Sequence, residues 1–262
     1  MAFADFHFFS ETLALTCAAH VILPQPTTLQ IGMTGGVKRE RYPTLYLLHG
    51  LSDDHTIWTR RTSIERYATA KNIAVVMPAV ARSFYQDMAS GPKYWTFVSE
   101  ELPAICQCYF PLSTAREDNF VAGLSMGGYG ALRLALAHPQ KFAAAASLSG
   151  ALDLARRLRE VGRPGARINR AEWVGIFGPA LEPPAEADLW LLAQKMAVAS
   201  GPTPALYLAC GTADELLDDT RSFRDHLESA KLAVTYRESP GLHEWGYWDA
   251  EIQRVLDWLP LR

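Results

Sequence analysis

Residues 121–130 read VAGLSMGGYG, with Gly123 and Gly127 placed two residues before and two residues after Ser125. Glycine costs backbone entropy and packs no side chain, so this clustering needs a reason. The preceding stretch DNFVAGLS (118–125) is apolar and short, as a buried strand is. The following stretch GGYGALRLALAHP (127–139) is rich in Ala and Leu and stops at a proline, as a helix does. A strand that turns at once into a helix leaves Ser125 on a tight bend. Side chains at 123 and 127 would collide across that bend, and the glycines remove the collision. The bend lifts the hydroxyl clear and leaves the Met126 N–H at a helix N-terminus, where free donors and the helix dipole favour an oxyanion. Gly128 and Gly130 are expected to let this helix lie close to the sheet.

The rest of the chain alternates in the same way. Strand signals lie at 11–24, with FHFF (6–9) as a hairpin partner, and at 43–50, 73–78, 118–125, 142–150, 204–211 and 232–239. Helical signals lie at 61–71, 94–110, 127–139, 219–231 and 245–259. The helix at 94–110 contains Pro103, which predicts a kink or restart. The last helix carries Trp248, Ile252, Val255 and Leu256 on one stripe. Strands alternating with helices predict an α/β fold with a mostly parallel sheet covered on both faces. Residues 151–203, after the sixth strand, break the alternation and hold Gly162, Pro164, Gly165, Pro179, Pro183 and Pro184. They read as a cap-like insertion in a single domain spanning 1–262.

Composition narrows the function classes. The 262 residues are 49% hydrophobic and 20% charged, which suits a folded globular protein rather than a disordered one. The net charge of −3 offers no footprint for nucleic acid, and no basic run suggests a membrane surface. No run of about eighteen apolar residues is present. The N-terminus lacks a basic segment and carries Asp5 and Glu11, so a secretory leader is not expected and the chain reads as soluble and cytoplasmic. Cys17, Cys106, Cys108 and Cys210 form no C-x2-C pair and read as buried, reduced thiols. The composition is compatible with a homo-oligomer.

A serine hydroxyl needs a base, and the base needs an orienting acid. On a strand–serine–helix bend the expected chain order is Ser, then Asp or Glu, then His. His138, His226 and His243 follow Ser125. His138 ends the serine's own helix and His226 lies mid-helix among charges. His243, in the loop SPGLHEWG (239–246), is the favoured base. LACGTADELLDD (208–219) offers Asp214, with Asp218 and Asp219 read as helix-capping groups. Asp214 is favoured as the acid and Asp153 is its rival. A second oxyanion donor is expected from LLHGLSDDHTIW (47–58), where Gly50 lets the backbone approach and Leu51 supplies the N–H. His49 reads as a structural hydrogen-bonding residue. Asp53, Asp54 and His55 have ligand chemistry, but three adjacent residues rarely converge on one ion, and no metal or cofactor is expected. Trp58, Tyr85, Trp95, Tyr129, Trp173 and Trp245 are candidate pocket aromatics.

HGL (49–51), RTSIERYA (61–68), NIAVVMP (72–78), RSFY (82–85), EELP (100–103), the run 110–136, CGTAD (210–214) and LHEWGYWD (242–249) together resemble the tributyrin-esterase branch of the esterase D superfamily. The resemblance covers most of the chain and is weakest over 151–200. It implies an α/β-hydrolase fold and a serine carboxylesterase acting on short-chain esters without a cofactor. It implies Ser125 as nucleophile, Asp214 as acid, His243 as base, and the amides of Leu51 and Met126 as oxyanion donors. S-formylglutathione hydrolases of that superfamily typically read SGLTC where this chain reads HGLSD, which points away from their substrate. Feruloyl and cinnamoyl esterases, acyltransferases, and a catalytically silent binding protein share the layout.

Overall fold

Eight strands form one sheet in a computed structural model that describes residues 1–32, 35–163 and 166–262. In chain order the strands are β1 (Ala2–Ser10), β2 (Leu15–Leu23), β3 (Thr44–Leu48), β4 (Ala74–Pro78), β5 (Asn119–Leu124), β6 (Ala144–Leu148), β7 (Ala205–Gly211) and β8 (Val234–Ser239). Their spatial order is β1-β2-β4-β3-β5-β6-β7-β8. The β1–β2 hairpin is antiparallel and joins β4 antiparallel; every other pairing is parallel. The helices are α1 (Ile57–Arg61), α2 (Ile64–Lys71), α3 (Tyr94–Thr96), α4 (Leu102–Tyr109), α5 (Met126–Ala137), α6 (Leu154–Arg159), α7 (Arg170–Phe177), α8 (Leu189–Val198), α9 (Leu217–Ser229) and α10 (Trp245–Trp258).

The two-residue period of a strand divides the core. Tyr46, Leu48, Val76, Val121, Ala145, Leu206 and Leu208 face one side, where α4, α5 and the 151–203 segment pack. Leu45, Leu47, Val75, Phe120, Ala122, Ala146 and Tyr207 face the other, against α2 and α10. The predicted stripe Trp248, Ile252, Val255 and Leu256 is buried there. Each Val, Leu, Ile or Phe side chain among these removed from water contributes about 1.5–3 kcal/mol before entropy is charged against it.

At Pro103 the expected kink or restart takes the form of a π-helical shift, with the backbone helical throughout 94–109. A π-helical turn, Phe97–Glu101, separates α3 from α4, so the ladder shifts before the proline that lacks an N–H. Glu101 then accepts hydrogen bonds from Ser10 Oγ and from the Glu11 N–H, which closes the turn of the β1–β2 hairpin.

Residues 151–203 hold α6, α7 and α8 between β6 and β7. Pro164 and Gly165, two of its expected breakers, lie outside the described residues. Buried Arg133 of α5 ties this segment down. It donates to the carbonyls of Tyr85 and Glu186 and to Gln86 Oε1, and its guanidinium stacks 3.7 Å from the Trp95 ring centroid.

Cys17, Cys106 and Cys210 are buried free thiols, but Cys108 is exposed because it lies two helical positions from buried Cys106. Gly128 does face the sheet, at Ser147 Oγ; Gly130 instead faces the ring of Tyr85.

A Cβ at Gly123 would collide with the Gly127 carbonyl, and one at Gly127 would come 2.5 Å from the Leu48 carbonyl oxygen. Gly123→Ala should therefore cost about 1–3 kcal/mol or more in urea unfolding. Gly246→Ala, with nothing within 4 Å of the added carbon, should cost nothing. Equal stability of the two variants would remove the steric explanation.

Candidate active site

Ser125 joins β5 to α5 with φ 53° and ψ −117°, a conformation that costs a non-glycine residue about 1–3 kcal/mol. Three backbone hydrogen bonds hold it there. Its N–H donates to the Leu148 carbonyl at 2.9 Å, and its carbonyl accepts from Tyr129 and Ala151 at 3.2 and 3.0 Å. The side chain is left at the sheet's C-terminal edge.

Asp214 follows β7 and His243 follows β8, and neighbouring parallel strands bring their loops together. Thr212 N–H donates to the Ser239 carbonyl and Ala213 N–H to the Gly241 carbonyl, lacing one loop to the other. His243 Nδ1 lies 3.1 and 3.0 Å from the two Asp214 oxygens, and Nε2 lies 3.1 Å from Ser125 Oγ. A carboxylate only accepts, so Nδ1 carries the proton and the Nε2 lone pair faces the serine hydroxyl. Asp153, the rival acid, instead caps α6 by accepting from the Arg156 N–H. His138 stacks on Trp95, and His226 binds the Trp190 carbonyl. Neither approaches Ser125. Asp218 sits in the first turn of α9 as expected. Asp219 does not serve as a simple capping group; it is buried and paired with Arg156 and Arg157.

Burial pushes the Asp214 carboxyl up. The His243 imidazole, the Leu216 N–H and the Ser149 hydroxyl outweigh it, and the net position is below the usual carboxylate value. Leu216 N–H donates to Oδ1 at 2.8 Å. Ser149, with φ 49°, accepts from Trp248 Nε1 at 3.1 Å, and the Trp248 ring meets His243 edge-on at 4.8 Å. Neither supporting role was read from the sequence. Trp248 shows there only as one apolar position of a helix, and Ser149 only as a polar residue within the strand signal at 142–150.

The entry to the loop after β3 is fastened at three successive carbonyls, those of Leu48, His49 and Gly50. Trp58 Nε1 donates to the Leu48 carbonyl at 3.1 Å, and Tyr85 OH to that of His49 at 3.0 Å. The Val80 N–H donates to His49 Nε2 at 3.0 Å, so His49 Nδ1 carries the proton toward the Gly50 carbonyl at 2.7 Å. Burial lowers the His49 pKa to about 4 and keeps the ring neutral. In a trans peptide the Leu51 N–H points opposite to the Gly50 carbonyl. Among the described residues, neither the Leu51 nor the Met126 N–H is spent on another acceptor.

A cavity of about 470 Å³ opens over Ser125 and His243, bordered by Leu51, Met126, Phe84, Ile168 and Trp173. Of the six expected aromatics only Trp173 borders it. Trp58, Tyr85 and Tyr129 are fully buried, with their polar atoms spent on the Leu48, His49 and Ala187 carbonyls. Trp95 is taken up by Arg133 and His138, and Trp245 packs on Trp58 and Trp248. Phe84 does border the cavity, although nothing in the neighbouring sequence marks it as a pocket wall.

The Esterase family model, described as "Putative esterase", matches residues 21–259. The chain belongs to this family. It is 30% identical over 263 residues to the acetyl esterase of Caldicellulosiruptor saccharolyticus, covering 99% of this chain and 98% of that one. Among solved structures it is similar to the fluorophosphonate-binding serine hydrolase F of Staphylococcus aureus, with TM-score 0.86 and 34% identity over 98% of each chain. An S-formylglutathione hydrolase of the same organism gives TM-score 0.84 and 34% identity over 98% of each chain. The fold is that of the α/β-hydrolases, and the protein is a serine carboxylic ester hydrolase. Among the described residues, no helix is long and apolar enough to cross a membrane.

The lowered Asp214 pKa makes a signed prediction for this esterase. The stability it contributes is complete above the unfolded-state value and is lost as pH falls through the folded-state value. In urea unfolding, wild type should exceed Asp214→Asn in stability near neutrality. The gap should narrow between about pH 5 and pH 2. A gap that widens on acidification would contradict the assigned direction.

Proposed function

We propose that the protein hydrolyses short-chain acyl esters through an acyl-enzyme on Ser125, with His243 as base and Asp214 as its orienting acid. The observation that carries this reading is the unbroken hydrogen-bonded run from Ser125 Oγ through His243 to Asp214 at the floor of the cavity. His243 Nε2 takes the hydroxyl proton as Oγ attacks the ester carbonyl. The oxyanion would lie between the free amides of Leu51 and Met126, each contributing about 3 kcal/mol. His243 then gives its proton to the departing alcohol, and water activated by the same nitrogen releases the acid. This chemistry requires no cofactor.

We read the whole chain as one domain with residues 151–203 as its cap, because Arg156, Glu160, Val161, Ile168 and Trp173 of that segment border the cavity. The apolar wall of Phe84, Ile168 and Trp173 in a space of about 470 Å³ suits a small acyl group. The acetyl esterase relative supports the same choice. A second reading, a leaving alcohol or thiol that bears a carboxylate, is favoured by Arg156, Arg157, Arg163 and Arg167, which outnumber Glu160 and Glu215 around the opening. Four free cysteines suit the reducing cytoplasm as its compartment.

The test is a panel of p-nitrophenyl esters from acetate to octanoate, methyl ferulate and S-formylglutathione. Acetate and butyrate should turn over fastest, and Ser125→Ala should lose about 10⁴-fold or more in kcat together with fluorophosphonate labelling. Faster turnover of octanoate would overturn the acyl-length assignment. Retained labelling in Ser125→Ala would overturn the nucleophile. A clear preference for S-formylglutathione would select the second reading.

A further inference from the structure

Far from the serine in sequence, four groups meet beside the edge hairpin. Asp5 and His7 stand two apart on β1, so their side chains leave the same face of the strand. His20 of β2 is the cross-strand partner of Asp5. His55 enters from the loop that runs from Gly50 into α1. Asp5 Oδ1 lies 3.3 Å from His7 Nε2, 3.7 Å from His55 Nε2 and 3.8 Å from His20 Nε2. One donor atom each from Asp5, His20 and His55 falls within 4.8 Å of the other two.

The protons can be followed. Thr59 has one hydroxyl proton and gives it to the Thr56 carbonyl at 2.7 Å. His20 Nδ1, 3.2 Å from the same Thr59 oxygen, must therefore be the donor in that contact. In the neutral ring this leaves the His20 Nε2 lone pair turned toward a carboxylate oxygen. The His55 ring stands perpendicular to that of His20, with centroids 4.8 Å apart, and its Nδ1 is buried without a partner among the described residues. As neutral rings His7 and His55 can each turn an Nε2–H to Asp5, but His20, whose Nδ1 holds its proton, must either gain a second proton or leave a lone pair facing the carboxylate. A cation at the centre satisfies all of them at once.

We propose that Asp5, His20 and His55, with His7 on the open side, form a structural zinc(II) site that clips the β1–β2 hairpin to the loop leading into α1. Zinc takes imidazole nitrogen and carboxylate oxygen at about 2.0–2.1 Å in tetrahedral array, which sets donor atoms about 3.3–3.4 Å apart. The contacts from Asp5 Oδ1, 3.3–3.8 Å, are within a few tenths of an ångström of that spacing, while the donor atoms of Asp5, His20 and His55 lie within 4.8 Å of one another, so the imidazoles would draw together on binding. Thr59 would be the outer hydrogen bond that fixes the His20 ring. Asp53 and Asp54, adjacent to His55, take no part, as expected of neighbouring residues. The clipped loop also carries Leu51, so the ion would stiffen one wall of the serine site without touching the reaction.

The test uses the untagged full chain, stripped with EDTA and titrated with zinc chloride by calorimetry and thermal unfolding. One equivalent should bind at about 1 μM or tighter, and the unfolding midpoint should rise by about 2–4 °C or more. Thr59→Val should weaken binding about 10–100-fold. Asp5→Asn, a half-exposed change on the edge strand, should weaken it without altering the metal-free midpoint. His20→Gln with His55→Gln should abolish it. Zinc bound only at millimolar concentration, or with unchanged affinity in Asp5→Asn and Thr59→Val, would overturn the site; this holds even if the double variant fails to fold.

Discussion

The site depends on one backbone bend. Ser125 holds a positive φ because β5 must end and α5 begin within a single residue, and the helix N-terminus is pressed against the carbonyls of Leu48 and His49. There is no room for a side chain at 123 or 127. The strain is local, but its support is not: the Leu148 carbonyl of β6 and the Ala151 N–H beyond it hold the two sides of the serine. Loss of that support would let the bend relax and drop the hydroxyl from the sheet edge.

Around the bend, rigidity comes from polar groups used up in pairs. The loop of Leu51 is held by Trp58, Tyr85 and a neutral, buried His49. The loops of Asp214 and His243 are laced by backbone hydrogen bonds and buttressed by Ser149 and Trp248. Unpaired, these buried groups would each cost about 1–3 kcal/mol; paired, they hold three separate loops in a single arrangement. What is left unspent is informative: among the described residues the Leu51 and Met126 amides have no acceptor, and both residues border the cavity over Ser125 and His243.

The residues 151–203 supply most of the cavity's far side, and their charge is largely internal. Arg156 and Arg157 both reach the buried Asp219, and Arg167 pairs with Glu215. Their reach toward a substrate is therefore set by competition with these partners. Aromatic residues show the opposite economy. Tyr85 and Tyr129 were expected in the pocket, yet each is consumed in fastening backbone, while Phe84, beside Tyr85 in sequence, turns to the cavity.

Local pattern determined the strand and helix order and the bend at Ser125, and it singled out Asp214 and His243 as the candidate acid and base. Hydrophobic period and glycine spacing are short-range properties, and chain order limits which acid and base can follow the serine. Tertiary structure alone decided which aromatics line the cavity, that Asp219 is buried between two arginines, that Ser149 and Trp248 brace the acid, and that Asp5, His20 and His55 meet. Each of these depends on contact between segments from about 15 to over 100 residues apart in the chain. A side chain's type says what it can bond to; only the packed sheet says which partner stands within 3 Å of it.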